Sequence, residues 1–291
     1  MLPTKTMFFQ PTTIPEALQL KAAQGAGARF IAGGTDLIVM RNHGRMEAGA
    51  FIDLSHVAGF DTVETLPDGL HHRAAGGATC ARLARLPVRC VAEAAHSVGG
   101  PQIRNRATVA GNLASASPAA DVATALLALD ATVEMGSVRG VRAMPLRDFF
   151  LDYRKTALAP DELITSVTFP ADWHTAWEKL GKRGAMNISL VCCAVGVSPA
   201  GDVRVAYGSV AAFPMLAVRT GGFLREAGLR HGIPADEALV AEACRIAASE
   251  VRPVDDFRGS AEYRREMCGV LLRKCLRTIA APSQLRTQAA D

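Results

Sequence analysis

Two stretches of small residues carry the chemistry this chain offers. The first, Gly33-Gly34-Thr35-Asp36-Leu37, lies between a short apolar run and a helix-forming segment. Glycines at such a turn let successive backbone N–H groups face one point, and the start of a helix adds partial positive charge. A pyrophosphate is the natural guest of that arrangement. The alternative is an ordinary tight turn in which Asp36 caps the helix. The second stretch runs from Thr108-Val109-Ala110-Gly111-Asn112 through Ser115 and Ser117 to Asp121. Its small side chains allow a bulky, flat ligand to lie against the backbone. Thr108, Asn112, Ser115 and Ser117 supply hydroxyl and amide groups, and Asp121 could accept from a ribose or ribityl hydroxyl. The alternative is a serine-rich loop ending in a helix N-cap at Asp121.

Neither stretch fits the GxGxxG dinucleotide fingerprint or the GxxxxGK[ST] phosphate loop. No HExxH or GxSxG motif marks a hydrolase. His71 and His72 are adjacent on a predicted strand, so they face opposite ways and do not share a metal. The seven cysteines show no CxxC or Cys/His ligand spacing and sit mostly among apolar neighbours. They read as reduced, buried thiols of a cytoplasmic protein, and no metal or iron–sulfur site is expected from this chain alone. Two separated small-residue loops suit a long two-part ligand such as FAD.

The elements that must position these loops follow from the pattern around them. Thr13-Ile14-Pro15-Glu16 starts a helix with a capping box and an early proline, and the helix stops at Gly25. Strands are predicted at Arg29 to Ala32 and Phe51 to Leu54, on either side of a helix from Leu37, which makes a small parallel βαβ unit. Leu70 to Ala75 and Ala131 to Glu134 read as strands, with Val138-Arg139-Gly140-Val141 a hairpin return. Between them, Gly99 to Ala120 reads as one long functional loop, followed by a helix from Asp121 to Leu129. After Pro170 the pattern becomes three strands (His174 to Lys182, Ile188 to Val197, Val203 to Ala211), with a hairpin turn at Pro199-Ala200-Gly201-Asp202. Two helices follow, Ala235 to Val251 and Ser260 to Ile279, and then a frayed tail. The fold class expected is α+β, with a second α+β domain built on a three-stranded antiparallel sheet.

Composition supports this and narrows the partners. Of 291 residues, 49% are apolar, enough for a sizeable core. With 32 basic and 28 acidic residues the net charge is +4, and the cations are scattered, so nucleic acid is not expected. The tightest cluster, Arg264, Arg265, Arg273, Lys274 and Arg277, has helical spacing and reads as a solvated or partner-facing helix face. No apolar run approaches the ~18 residues of a membrane span, and Met1 to Gln10 lacks a signal-peptide pattern.

Taken in order, Ala32 to Leu37, Gly100-Pro101-Gln102-Ile103-Arg104-Asn105, Thr108 to Asn112 and Ser117-Pro118-Ala119-Ala120-Asp121 resemble the FAD-binding subunit of the xanthine dehydrogenase, or molybdenum hydroxylase, family. Tyr153-Arg154-Lys155-Thr156, Lys179 with Arg183, and Ala261-Glu262-Tyr263-Arg264-Arg265 extend the match over nearly the whole chain. The resemblance implies a two-subdomain FAD module of the vanillyl-alcohol-oxidase type over residues 1–172, divided near residue 57. A smaller α+β domain over 173–280 and a tail over 281–291 would complete the chain. It further implies that Phe30, Ile31, Ala32, Gly33, Gly34, Thr35, Asp36 and Leu37 wrap the FAD pyrophosphate. Thr108, Val109, Ala110, Gly111, Asn112 and Ser117 would form the second FAD loop, Asp121 would fix a sugar hydroxyl, and Ile164 and Lys179 would lie near the flavin.

Two departures stand out. Ala110 replaces a usual glycine, which requires φ < 0 there, and Asn187 stands where an aspartate usually follows Arg183. No cysteine-rich insertion for a [4Fe–4S] cluster is visible. The implied assembly has three parts: a molybdopterin-binding large subunit, a [2Fe-2S] small subunit, and this chain. Its FAD would collect electrons and pass them to NAD+ or another acceptor. The alternatives are a stand-alone FAD oxidoreductase of the same fold and a scaffold subunit without flavin. No catalytic acid or base is expected here.

Overall fold

The computed structural model describes residues 6–184, 186–232 and 236–281. The chain opens with β1 (Met7–Phe9), α1 (Ile14–Gln24), β2 (Ala28–Ile31), α2 (Leu37–Asn42) and β3 (Ala50–Asp53). The three strands form a parallel sheet in the order β1-β3-β2. Helix α1 starts as its sequence dictates: Thr13 Oγ1 accepts from the Glu16 N–H at 3.3 Å. The returning carboxylate bond reaches Thr12 N, at 2.8 Å, instead of Thr13, so the capping box is displaced by one residue. Ala17 and Leu18 of α1 cover Ala28, Ala50 and Ile52 to make a small core closed by Phe60 and Leu163.

The next portion holds β4 (Val63–Thr65), β5 (His71–Ala75), α3 (Cys80–Leu83), α4 (Arg89–His96), α5 (Pro101–Arg104), α6 (Val109–Ser115) and α7 (Asp121–Leu127). It continues with β6 (Thr132–Ser137), β7 (Gly140–Pro145), β8 (Phe150–Asp152), β9 (Lys155–Thr156) and β10 (Leu163–Pro170). Five strands make a sheet in the order β4-β5-β10-β6-β7, its pairs antiparallel. Its central strand, β10, was not expected. Thr165, Ser166 and Thr168 interrupt its apolar pattern, because two of them face the polar network of Arg73 and Glu134. His71 and His72 do alternate, His72 buried and His71 half-exposed beside Asp68.

The stretch from Gly99 to Ala120 is not one long loop. Pro101 occupies the first turn of α5, and Thr108 caps α6 by accepting from the Gly111 N–H at 3.1 Å. Small residues disguised two short helices as a coil. All seven residues of α7 are buried, which suits its Val-Ala-Thr-Ala-Leu-Leu sequence.

The last portion comprises β11 (His174–Leu180), β12 (Val191–Val197), β13 (Val203–Gly208), β14 (Met215–Leu216), α8 (Val218–Glu226), α9 (Glu237–Glu250) and α10 (Ala261–Ala280). The three expected strands are joined by the two-residue β14 in an antiparallel sheet, β11-β12-β13-β14. Strand β12 has no polar face because both of its faces are covered. Cys192 and Ala194 enter the core of the preceding portion beside α7, whereas Val191, Cys193, Val195 and Val197 pack into the last core with α10. Helix α8 was missed because Gly221 and Gly222 break its pattern. Gly221 is required there, since any Cβ would come within 2.8 Å of the Val203 carbonyl oxygen.

The basic helix face needs correction. Arg264 is buried, donating to the Leu190 and Ser209 carbonyls and pairing with Asp256 at 2.6 Å. It ties α10 to the sheet and does not belong to a solvated face. Ala235, expected to begin a helix, and the tail beyond Ala281 lie outside the described residues.

Candidate functional site

The loop from β2 to α2 is shaped by its two glycines. A Cβ on Gly33 would overlap the carbonyl oxygen of Arg106, so the absent side chain lets this loop touch the segment entering α6. Gly34 sits at φ +70°, wedged between the Ile31 and Ile38 side chains. That conformation is open to glycine and resisted by β-branched residues. Among the described residues, the N–H groups of Gly33, Gly34 and Thr35 donate to no protein acceptor. Asp36 occupies the N-cap position of α2, yet its side chain makes no capping bond. The carboxylate lies instead 3.6 Å from the Arg154 guanidinium.

The second stretch is built differently. The Val109 N–H donates to Ala78 O, the Ala110 N–H to Gly76 O, and the Asn112 N–H to Thr108 O, each at 2.9 Å. The Gly111 N–H is taken by the Thr108 cap. No backbone donor from Val109 to Asn112 remains for a ligand, so this stretch offers side chains and close approach only. Ala110 lies inside α6, its methyl buried and its φ not positive, so the replaced glycine costs nothing here. Asn112 Oδ1 accepts from the Ala123 N–H at 3.0 Å, which pins α6 to α7, and Ser117 Oγ accepts from the Ala119 N–H.

The two stretches meet. Ala32 and Gly33, with Asn105, Arg106 and Thr108, line a cleft of about 370 Å³ that the segment from Leu54 to Asp61 completes. That size lies in the range of roughly 300–1,000 Å³ usual for ligand sites. Gly77 and Thr79 also line the cleft, and they belong to a segment that sequence reasoning missed, Gly76-Gly77-Ala78-Thr79, between β5 and α3. A Cβ on Gly76 would overlap the Ile164 carbonyl, and one on Gly77 would come within 2.7 Å of the Phe60 carbonyl. The signal was present, since paired glycines followed by Thr between a strand and a helix repeat the logic of the first loop.

Asp121 and Lys179 come together elsewhere. Their carboxylate and ammonium are 2.7 Å apart, with 7% and 11% of the side chains exposed. Ser189 Oγ donates to Asp121 Oδ1 at 2.5 Å, and Lys179 also donates to the Ser97 carbonyl. Asp121 is therefore not a helix cap: Ala120 holds that position, and the carboxylate spans to β11. Ile164 is 1% exposed within the core and reaches the cleft region only through its carbonyl beside Gly76. Phe30 packs, partly buried, against the core of the small sheet, while Ile31, almost wholly buried, lies against Gly34.

Three features here suit FAD: unspent backbone donors at Gly33 to Thr35, a contact at Gly33 that a Cβ would block, and a cleft beside that contact lined by Gly33, Gly77, Thr79 and Thr108. Residues 4–172 match the family model for the FAD binding domain in molybdopterin dehydrogenase, and residues 177–279 match the CO dehydrogenase flavoprotein C-terminal domain. The chain belongs to this family, as a FAD-binding subunit. The xanthine dehydrogenase FAD-binding subunit of Escherichia coli O157:H7 is 28% identical over 284 residues, covering 92% of this chain and 94% of that one. The nicotinate dehydrogenase FAD-subunit of Eubacterium barkeri is 37% identical over 194 residues, 63% of this chain and 66% of that one. Among solved structures, the reconstituted CO dehydrogenase from Oligotropha carboxidovorans superposes with a TM-score of 0.88 at 25% identity, covering 97% of this chain and 100% of its own. The FAD-binding subunit is thus an oxidoreductase flavoprotein of α+β fold, with the FAD module first and the flavoprotein C-terminal domain after it. No helix among its described residues is long and apolar enough to cross a membrane, and no cluster of three or more metal-ligating side chains occurs among them.

Proposed function

We propose that this subunit takes electrons from a [2Fe-2S] partner subunit, itself served by a molybdopterin-binding large subunit, and passes them to NAD+ or another acceptor. FAD supplies chemistry suited to that place, since it accepts electrons singly and yields them as a pair. The observation that carries the reading is the contact of Gly33 with Arg106, beside a cleft that both line together with Thr108. In this reading Gly33, Gly34 and Thr35 hold the pyrophosphate through their backbone N–H groups. Thr108, Gly77 and Thr79 line the cleft beside them. Asp121 and Lys179 act near the flavin as a pair: Asp121 and Ser97 hold the Lys179 ammonium, and Ser189 holds Asp121. Ile164 contributes through the backbone packing at Gly76. The two FAD subdomains divide near residue 57, and the C-terminal domain begins near residue 173.

A cytoplasmic home fits the seven free cysteines, six of them buried. The test is purification of the assembled complex, assay of its iron, molybdenum and FAD, and rapid mixing of the reduced complex with NAD+. The reading expects metals on co-purifying chains and flavin reoxidation by an acceptor that never meets the organic substrate. Flavin in the isolated chain reduced directly by an organic substrate would instead mark a stand-alone oxidoreductase.

A further inference from the structure

Arg154 is absent from the assignments above, yet three observations converge on it. It sits at the turn of the β8–β9 hairpin with φ +53°, a conformation in which a non-glycine residue is strained. Glycine would hold this turn more easily, so an arginine here has a use for its side chain. That side chain reaches out of its own hairpin to the Gly33–Leu37 loop, placing Nη1 3.6 Å from Asp36 Oδ2 and 3.9 Å from Met40 Sδ. Among the described residues the guanidinium donates to no oxygen within hydrogen-bond range. The group is 39% exposed, so its donors face solvent beside the loop whose backbone N–H groups are also unspent.

A phosphate arriving at that loop meets the carboxylate of Asp36, a like charge. A cation within reach of both resolves the conflict, and a guanidinium does so best because its planar fork can serve two oxyanions at once. We propose that Arg154 is a ligand to the FAD pyrophosphate, held ready by Asp36 and turned onto the phosphates when the dinucleotide enters. No bond is made or broken in this step; one ion pair is exchanged for a bridge between carboxylate and phosphate. The proposal rests on placing the pyrophosphate at Gly33–Thr35.

The test uses the full chain freed of flavin, titrated with FAD and with riboflavin at low and high salt. The variants are Arg154→Gly and, as a control on the placement, Gly33→Ala. Glycine suits φ +53°, so Arg154→Gly leaves thermal stability unchanged or raised. It is expected to weaken FAD binding by roughly tenfold to a hundredfold, the scale of a lost charge-assisted hydrogen bond. It should also flatten the salt dependence of FAD binding and leave riboflavin, which has no phosphate, unaffected. Unchanged FAD affinity in Arg154→Gly, with binding lost in Gly33→Ala, would overturn the role of Arg154 and leave the placement standing. Unchanged FAD affinity in Gly33→Ala would overturn both. Equal losses of FAD and riboflavin with a lower melting temperature in Arg154→Gly would make Arg154 a structural residue and sink the proposal.

Discussion

The carboxylate of Asp121, at the start of a fully buried helix, meets the ammonium of Lys179, on the first strand of the C-terminal sheet, at 2.7 Å. Fifty-eight positions of chain separate them, and the pair joins the FAD module to the domain that follows it. The family resemblance implies a separate flavin role for each. Their partnership means that neither can be altered alone without leaving a buried charge behind.

Asp121→Ala is therefore expected to cost about 3–5 kcal/mol of folding stability, the scale for stranding one member of a buried pair. The double variant Asp121→Ala/Lys179→Met should recover a large part of that loss, because no unpaired charge remains. Denaturant unfolding of the two single variants and the double gives the coupling. Additive losses would show that the pair contributes little and would free Asp121 for a purely ligand role.

Arg264 offers a second structural test. Its Nη1 serves the Leu190 and Ser209 carbonyls, and its Nη2 serves Asp256. Arg264→Met should lower stability by roughly 3 kcal/mol through lost bonds to buried acceptors. Arg264→Lys should rescue little, since a single ammonium cannot span three acceptors set for a fork. Full stability in the lysine variant would contradict this geometry.

A pH dependence follows from His72. Burial between β4 and β10 holds its imidazole below the usual histidine range, with Thr65 Oγ1 at 3.2 Å from Nδ1. The folded state thus binds its proton less readily than the unfolded chain, whose histidines titrate near about 6.5. Its contribution is present above that pH and is lost as pH falls toward and through the lowered folded value. His72→Leu should accordingly show a smaller fall in melting temperature than the wild type between about pH 7.5 and pH 5.5. Equal falls would place the acid sensitivity elsewhere.

The β2–α2–β3 unit of the small parallel sheet was legible in the sequence because Thr13, Gly25 and the Gly33-Gly34 turn punctuate it, whereas the edge strand β1 was not. The site's first wall was legible for the same reason. Strand β10 was hidden because its polar residues face Arg73 and Glu134, a partnership formed across 93 and 31 positions of chain. Helices α5 and α6 were hidden by small residues that serve loops equally well. The Asp121–Lys179 pair could not be read at all, since nothing local ties a helix start to a strand in the next domain. Gly76-Gly77-Ala78-Thr79 could have been found by the reasoning that found Gly33-Gly34.

FAD binding in this cleft depends most directly on the contact between Gly33 and Arg106, and the flavin content of the purified subunit with and without that contact tests it. The wild type is expected to carry one FAD per chain, released on acid precipitation, and Gly33→Ala to fold with its C-terminal domain intact and carry almost none. A Gly33→Ala protein with full flavin content, or a flavin that remains with the acid-precipitated chain, would contradict non-covalent FAD binding in this cleft.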